Sequence, residues 1–166
     1  MSKSSNIARG GLLTALGVIF IYLSNVAPTS KIYLLGVASC IIPLSIIWTN
    51  IKNSIVVYGA TCILCLLLIG FKGGVITYIL FFGLYGFAKY YIEKLRKLPI
   101  EILLKILFFN VSIALIFLIY RVFFAGLLKI NIAIPLAIFI FQFVFLVYDY
   151  ALTLFISYVN RHYLKS

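Results

Sequence analysis

Long apolar runs separated by short polar breaks make up almost the whole chain. A helix rises about 1.5 Å per residue, so about 20 apolar residues cross about 30 Å of hydrocarbon. Six runs meet or approach that length, at about 7–27, 32–49, 54–69, 75–91, 100–125 and 132–159. The breaks carry turn chemistry. Pro28-Thr29-Ser30-Lys31 ends the first run, because Pro28 cannot continue a helix. Asn50-Ile51-Lys52-Asn53 is a short polar link, and Gly70-Phe71-Lys72-Gly73-Gly74 is a glycine turn. The pattern predicts an all-α integral membrane bundle of six transmembrane helices folded as a single domain, 1–166. The second and third runs are short, which suggests tilted or irregular spans, and Pro43 is placed to kink the second.

One break differs from the others. The stretch from Lys89 to Lys105, KYYIEKLRKLPIEILLK, holds five of the 14 basic residues and two of the three acidic ones. It reads as a basic cytoplasmic loop. Ile92, Leu95 and Leu98 recur every third residue within it, which suits an amphipathic helix lying at the interface; a solvated extension of the fourth span fits the same residues. With the N-terminus inside, the cytoplasmic segments hold Lys3, Arg9, Lys52, the five basic residues of that loop, Arg161 and Lys165. The outer segments hold Lys31, Lys72, Arg121 and Lys129. Ten against four places both termini in the cytoplasm by the positive-inside rule. An even number of spans agrees, and the expected location is a bacterial cytoplasmic membrane.

Composition sharpens this picture. Charged residues make up 10% of the chain and hydrophobic ones 65%, against about 25% charged in an ordinary soluble domain. The mean hydropathy is +1.22. A net charge of +11 would point to nucleic acid in a soluble protein. Here the cations sit at span ends, so topology and contact with anionic lipid headgroups account for them, and no nucleic-acid partner is expected. Lys3 and Arg9 before an apolar run resemble a signal peptide, but the first run reads better as a membrane span.

Asp149 is the only acidic residue outside the basic stretch. A carboxylate deep in a span is expensive and should face the bundle interior with a partner. Gln142, Asp149, Thr153 and Asn160 fall within about 40° of one another on a helix, forming a polar stripe. The stripe suits either a solute-contacting wall or interhelical hydrogen bonds. Rarity favours Arg121 as the basic counterpart, but it lies near the outer end of its span; Lys89 and Arg9 are nearer in estimated depth. Asn110, Ala114, Phe117 and Arg121 share one face of the fifth span, so Asn110 and Arg121 could contact a polar solute, although such an arginine often snorkels to the interface. The candidate solute-binding set is therefore Asp149, Gln142, Asn110 and Arg121.

Chemistry beyond binding finds no support in the residues. His162 is the single histidine, and H-E-x-x-H, G-x-S-x-G and G-x-x-x-x-G-K-[ST] are all missing from the sequence. Cys62 and Cys65 form C-x-x-C, but Tyr58, Thr61, Cys62 and Cys65 recur as a helix-packing face, and no second ligand pair accompanies them. Cys40, Cys62 and Cys65 all lie in apolar runs, where a thiol packs as a small hydrophobe. No enzyme activity, cofactor or metal is expected. Tyr22, Tyr33, Tyr90, Tyr91, Tyr120, Tyr158 and Tyr163 cluster near span ends as an interfacial belt.

The first span is rich in small residues. Gly10 with Thr14 and Gly11 with Ala15 each make a small-xxx-small pattern that lets helices approach closely, within the bundle or against another protein. Its segment Ile7-Ala8-Arg9-Gly10-Gly11-Leu12-Leu13-Thr14-Ala15-Leu16 resembles the first helix of the substrate-capture (S) components of energy-coupling-factor vitamin importers. Pro28-Thr29-Ser30 and Phe81-Phe82-Gly83 are similar to features of a group of clostridial-type membrane proteins. The first resemblance implies six spans, cytoplasmic termini, and docking on a transmembrane coupling subunit that works with ATPases. Ala8, Gly11 and Ala15 would be the docking residues. It implies a small-solute-binding transporter subunit and names no solute. A non-transporting scaffold or cell-envelope assembly subunit is the alternative.

Overall fold

A computed structural model describes residues 3–27, 31–123 and 134–163. Every regular element among them is helical, and six helical stretches are long and apolar enough to cross a membrane: Ser4–Val26, Lys31–Trp48, Ile51–Ile69, Gly73–Glu93, Leu98–Phe123 and Ile140–His162. The protein is thus an all-α membrane protein of the kind the apolar runs predict. The Pro28-Thr29-Ser30 turn and Lys129 lie outside the described residues. Two compact units make up the chain, Met1–Lys94 and Leu95–Ser166.

The first unit contains α1 (Lys3–Val26), α2 (Lys31–Ser39), α3 (Ile41–Trp48), α4 (Ile51–Ile69), α5 (Gly73–Thr77), a π-helical turn (Tyr78–Phe82) and α6 (Gly83–Glu93). The second span is broken at Cys40, between α2 and α3. Pro43 explains the break. It has no N–H to donate to the Ser39 carbonyl, and its ring crowds that carbonyl. The chain tightens there, with the Cys40 N–H donating to Val37 O at 3.1 Å. The third span, by contrast, is one continuous 19-residue helix.

The π-helical turn in the fourth span has no counterpart in the apolar pattern. Such turns disturb the backbone ladder, and a side chain of α4 meets this one: the Tyr58 hydroxyl donates to Ile79 O at 2.8 Å. Gly83 makes room for that ring, since a Cβ there would lie 2.5 Å from Tyr58 Cε2. Phe87 closes the ring's edge at 5.9 Å. One turn on, Gly86 lies against Ile42 and Pro43, where a Cβ would come within 2.9 Å of Ile42 Cγ2. Leu13, Ile41, Ile42 and Val57 form a buried apolar cluster in this unit, and buried Ser54 and Ser45 join α4 to α3 through their hydroxyls at 2.9 Å.

The basic stretch is mostly helix. Lys89 to Glu93 end α6, and α7 (Leu98–Phe123) begins at Leu98. Only Lys94, Leu95, Arg96 and Lys97 lie between the helices, so neither a separate interfacial helix nor a loop reaching to Lys105 is formed. Arg96 takes φ 53°, a left-handed conformation that is uncommon for a residue other than glycine. Pro99 sits in the first turn of α7, where a missing N–H leaves no bond unmade. The second unit is completed by α8 (Ile134–Tyr163).

Candidate functional site

Helices α7 and α8 meet along a seam that runs in opposite chain directions. Lys105 pairs with Asp149. Four residues onward in α7 and four back in α8, Phe109 stacks on Phe145 with ring centroids 4.4 Å apart. One residue further in α7 and three further back in α8, the Gln142 side-chain amide donates to Asn110 Oδ1 at 3.3 Å. Sequence spacing explains the alignment. Lys105, Phe109 and Ser112 are the buried positions of α7, separated by four and three, and Gln142, Phe145, Asp149 and Leu152 repeat three, four and three along α8. Both spacings keep side chains on one face of a helix.

The ion pair is the most charged feature of this seam. Lys105 Nζ donates to Asp149 Oδ2 at 2.8 Å, with side chains only 10% and 15% exposed. Taking both charges out of water is costly, and the short contact offsets that cost. Asp149 thus has a partner from the neighbouring helix, as its depth requires. That partner is none of the three cations favoured by the sequence. Its place at the end of the basic run masks it in the sequence; in the fold it stands seven residues inside α7, roughly 10 Å from its first residue. A register that pairs Phe109 with Phe145 would have found it.

The remaining stripe residues separate. The Thr153 hydroxyl donates back to Asp149 O at 2.9 Å, and Asn160 is exposed. Arg121 lies in the last turn of α7 and is exposed. It is eleven residues beyond Asn110, roughly 16 Å along the axis, so it does not join the seam contacts made by Asn110. Arg9 donates to Trp48 O at 3.4 Å, and Lys89, 1% exposed, pairs with Glu93 one turn on at 2.8 Å.

The small residues of α1 divide into two faces. Gly10, Thr14 and Gly17 are buried, and their face packs on α4. A Cβ on Gly10 would meet Asn53 Nδ2 at 3.0 Å, and one on Gly17 would meet Thr61 Cγ2 at 3.2 Å. The space at Gly10 admits the Asn53 amide, which donates to Asn6 O at 3.0 Å. Ala8, Gly11 and Ala15 are all exposed, and nothing lies within 4 Å of a Cβ built on Gly11. The two overlapping small-residue patterns thus point in different directions, one into the unit and one out of it.

The cysteines remain free thiols, with Cys65 fully buried. No group of three or more potential metal ligands occurs among the described residues. No protein-family model, curated protein or solved structure matches this chain.

Proposed function

We propose that this protein is a membrane subunit that docks on a partner membrane protein through the outer face of α1 and handles a small polar solute with the Lys105–Asp149 pair. The observation that carries the reading is the outward stripe of Ala8, Gly11 and Ala15. A lipid-facing helix has no need of small residues, whereas a helix–helix contact does. In the second unit, a carboxylate and an ammonium within a membrane span are the groups a polar or zwitterionic solute could engage by exchanging places with one partner of the pair. The resemblance to substrate-capture components supports the same arrangement, with a coupling subunit and its ATPases as partner. Moving Lys105 from loop to span leaves nine cations against four, so the proposed orientation, both termini in the cytoplasm of a bacterial cell, is unaffected.

A specific observation favours a second reading, a scaffold without a solute. Lys105 bonds to Asp149 and Gln142 to Asn110, as interhelical ties do. Both readings share the docking face and differ at the ion pair. Copurification from mild detergent tests the first part. The tagged protein is expected to retain a membrane partner with associated ATPases, and Gly11→Leu with Ala15→Leu to reduce recovery of that partner at least about tenfold. Unchanged recovery refutes docking through this face. Recovery of envelope-assembly proteins in place of ATPases supports the scaffold.

A further inference from the structure

We propose that the π-helical turn of the fourth span is one state of a register switch latched by the Tyr58 hydroxyl, and that closing the turn to α-helix moves α5 by one residue within the first unit. The switch involves neither the α1 docking face nor the ion pair. A π turn holds one residue more than the α-helical turn it replaces, and its hydrogen bonds reach one residue further. Here the Gly83 N–H donates to Tyr78 O, five residues back. Its α-helical partner would be the carbonyl four residues back, Ile79 O. That oxygen accepts instead from the Tyr58 hydroxyl at 2.8 Å. Tyr58 thus occupies the acceptor an α-helix would use, and it reaches that acceptor because Gly83 leaves room for its ring. Releasing Ile79 O lets Gly83 bond to it and passes the extra residue out of the turn, a rotation of about 100° and a shift of about 1.5 Å.

The part that moves is α5. It is five residues long and follows Gly70, whose φ of 80° suits a turn. On the other side of the turn, α6 is seated through Gly86 against Ile42 and Pro43. With α6 fixed, the change puts Val75 where Gly74 stands and Thr77 where Ile76 stands. Gly74 fits its present place because it lacks a side chain: a Cβ there would lie 2.9 Å from Asn25 Oδ1. Gly74 against Asn25 is therefore a second latch for the same register, independent of Tyr58. Ile76 is buried, so the switch exchanges an apolar side chain for a hydroxyl in the interior of the unit. The apolar side chains turned outward lose little in a bilayer, because lipid tails are as apolar as a protein core.

Distances between paired spin labels in lipid nanodiscs test this, in the full chain with Cys40, Cys62 and Cys65 replaced by alanine. One pair joins Lys72, the exposed cap residue of α5, to exposed Ile55 of the continuous helix α4. A control pair joins exposed Leu67 of α4 to exposed Tyr91 of α6. Tyr58→Phe keeps the ring and removes only the hydroxyl. It is expected to raise the share of a second Lys72–Ile55 distance about fivefold, the worth of one hydrogen bond, with a displacement of up to about 8 Å for a label carried through that rotation. Gly74→Ala forces the Asn25 amide aside in the present register and is expected to raise the same second distance. The Leu67–Tyr91 distance is expected to stay unchanged. A single Lys72–Ile55 distance in both variants overturns the switch, and so does an equal change in the Leu67–Tyr91 pair. A second distance with Gly74→Ala but not with Tyr58→Phe overturns the hydroxyl as its latch.

Discussion

At the residue scale, the Lys105–Asp149 pair decides how the second unit is read. Replacing Asp149 by Asn removes the negative charge that faces a Lys105 ammonium 10% exposed. The expected loss is about 3 kcal/mol, the low end for breaking a buried pair. Replacing both, Lys105→Met with Asp149→Leu, should restore most of that loss, because packed apolar side chains need no compensation. Thermal unfolding in detergent measures both, and a double variant no more stable than Asp149→Asn contradicts the pairing. The carboxylate's need for a partner was legible in the sequence, because an acid within a span cannot stand alone. Its identity was not. The five cations between Lys89 and Lys105 look alike as a charge run, and nothing local marks Lys105 as lying inside α7. Only the register of α7 on α8 does.

At the element scale, glycines distinguish contacts that look identical in sequence. At Gly83 an added methyl meets the Tyr58 ring at 2.5 Å, which would push the hydroxyl off the Ile79 carbonyl that it holds. Gly83→Ala should therefore cost about 1–3 kcal/mol. At Gly11 nothing lies within 4 Å, so Gly11→Ala should be neutral or stabilise by up to about 1 kcal/mol through helix propensity. Chemical denaturation of the two variants gives their order, and a larger loss at Gly11 than at Gly83 contradicts the packing. The sequence showed that α1 has small residues at helical spacing. It could not show which set faces inward, because a helix apolar on every side carries no polar face to orient it. Pro43 was the opposite case: its missing N–H announces an irregular second span, and the break at Cys40 follows. The π-helical turn left no such mark, since its stabilising partner, Tyr58, comes from a different helix.

At the scale of the whole molecule, six membrane-crossing helices were legible because bilayer thickness imposes its length on every apolar run. The turn between α6 and α7 was read as too long for a related reason. In a sequence, charge looks like the end of a span, yet paired charges such as Lys89 with Glu93 and Lys105 with Asp149 are carried on helices. The first unit carries an exposed small-residue stripe on α1, and the second a largely buried ion pair between α7 and α8. The central claim is that the ion pair engages a solute as well as holding two helices together. Native mass spectrometry of the membrane-extracted protein tests it most directly, comparing the natural chain with one in which Lys105→Asp and Asp149→Lys exchange the charges and keep the tie. A small molecule retained by the first and lost from the equally folded second is the expected result. An identical spectrum from both, with or without a bound molecule, contradicts it.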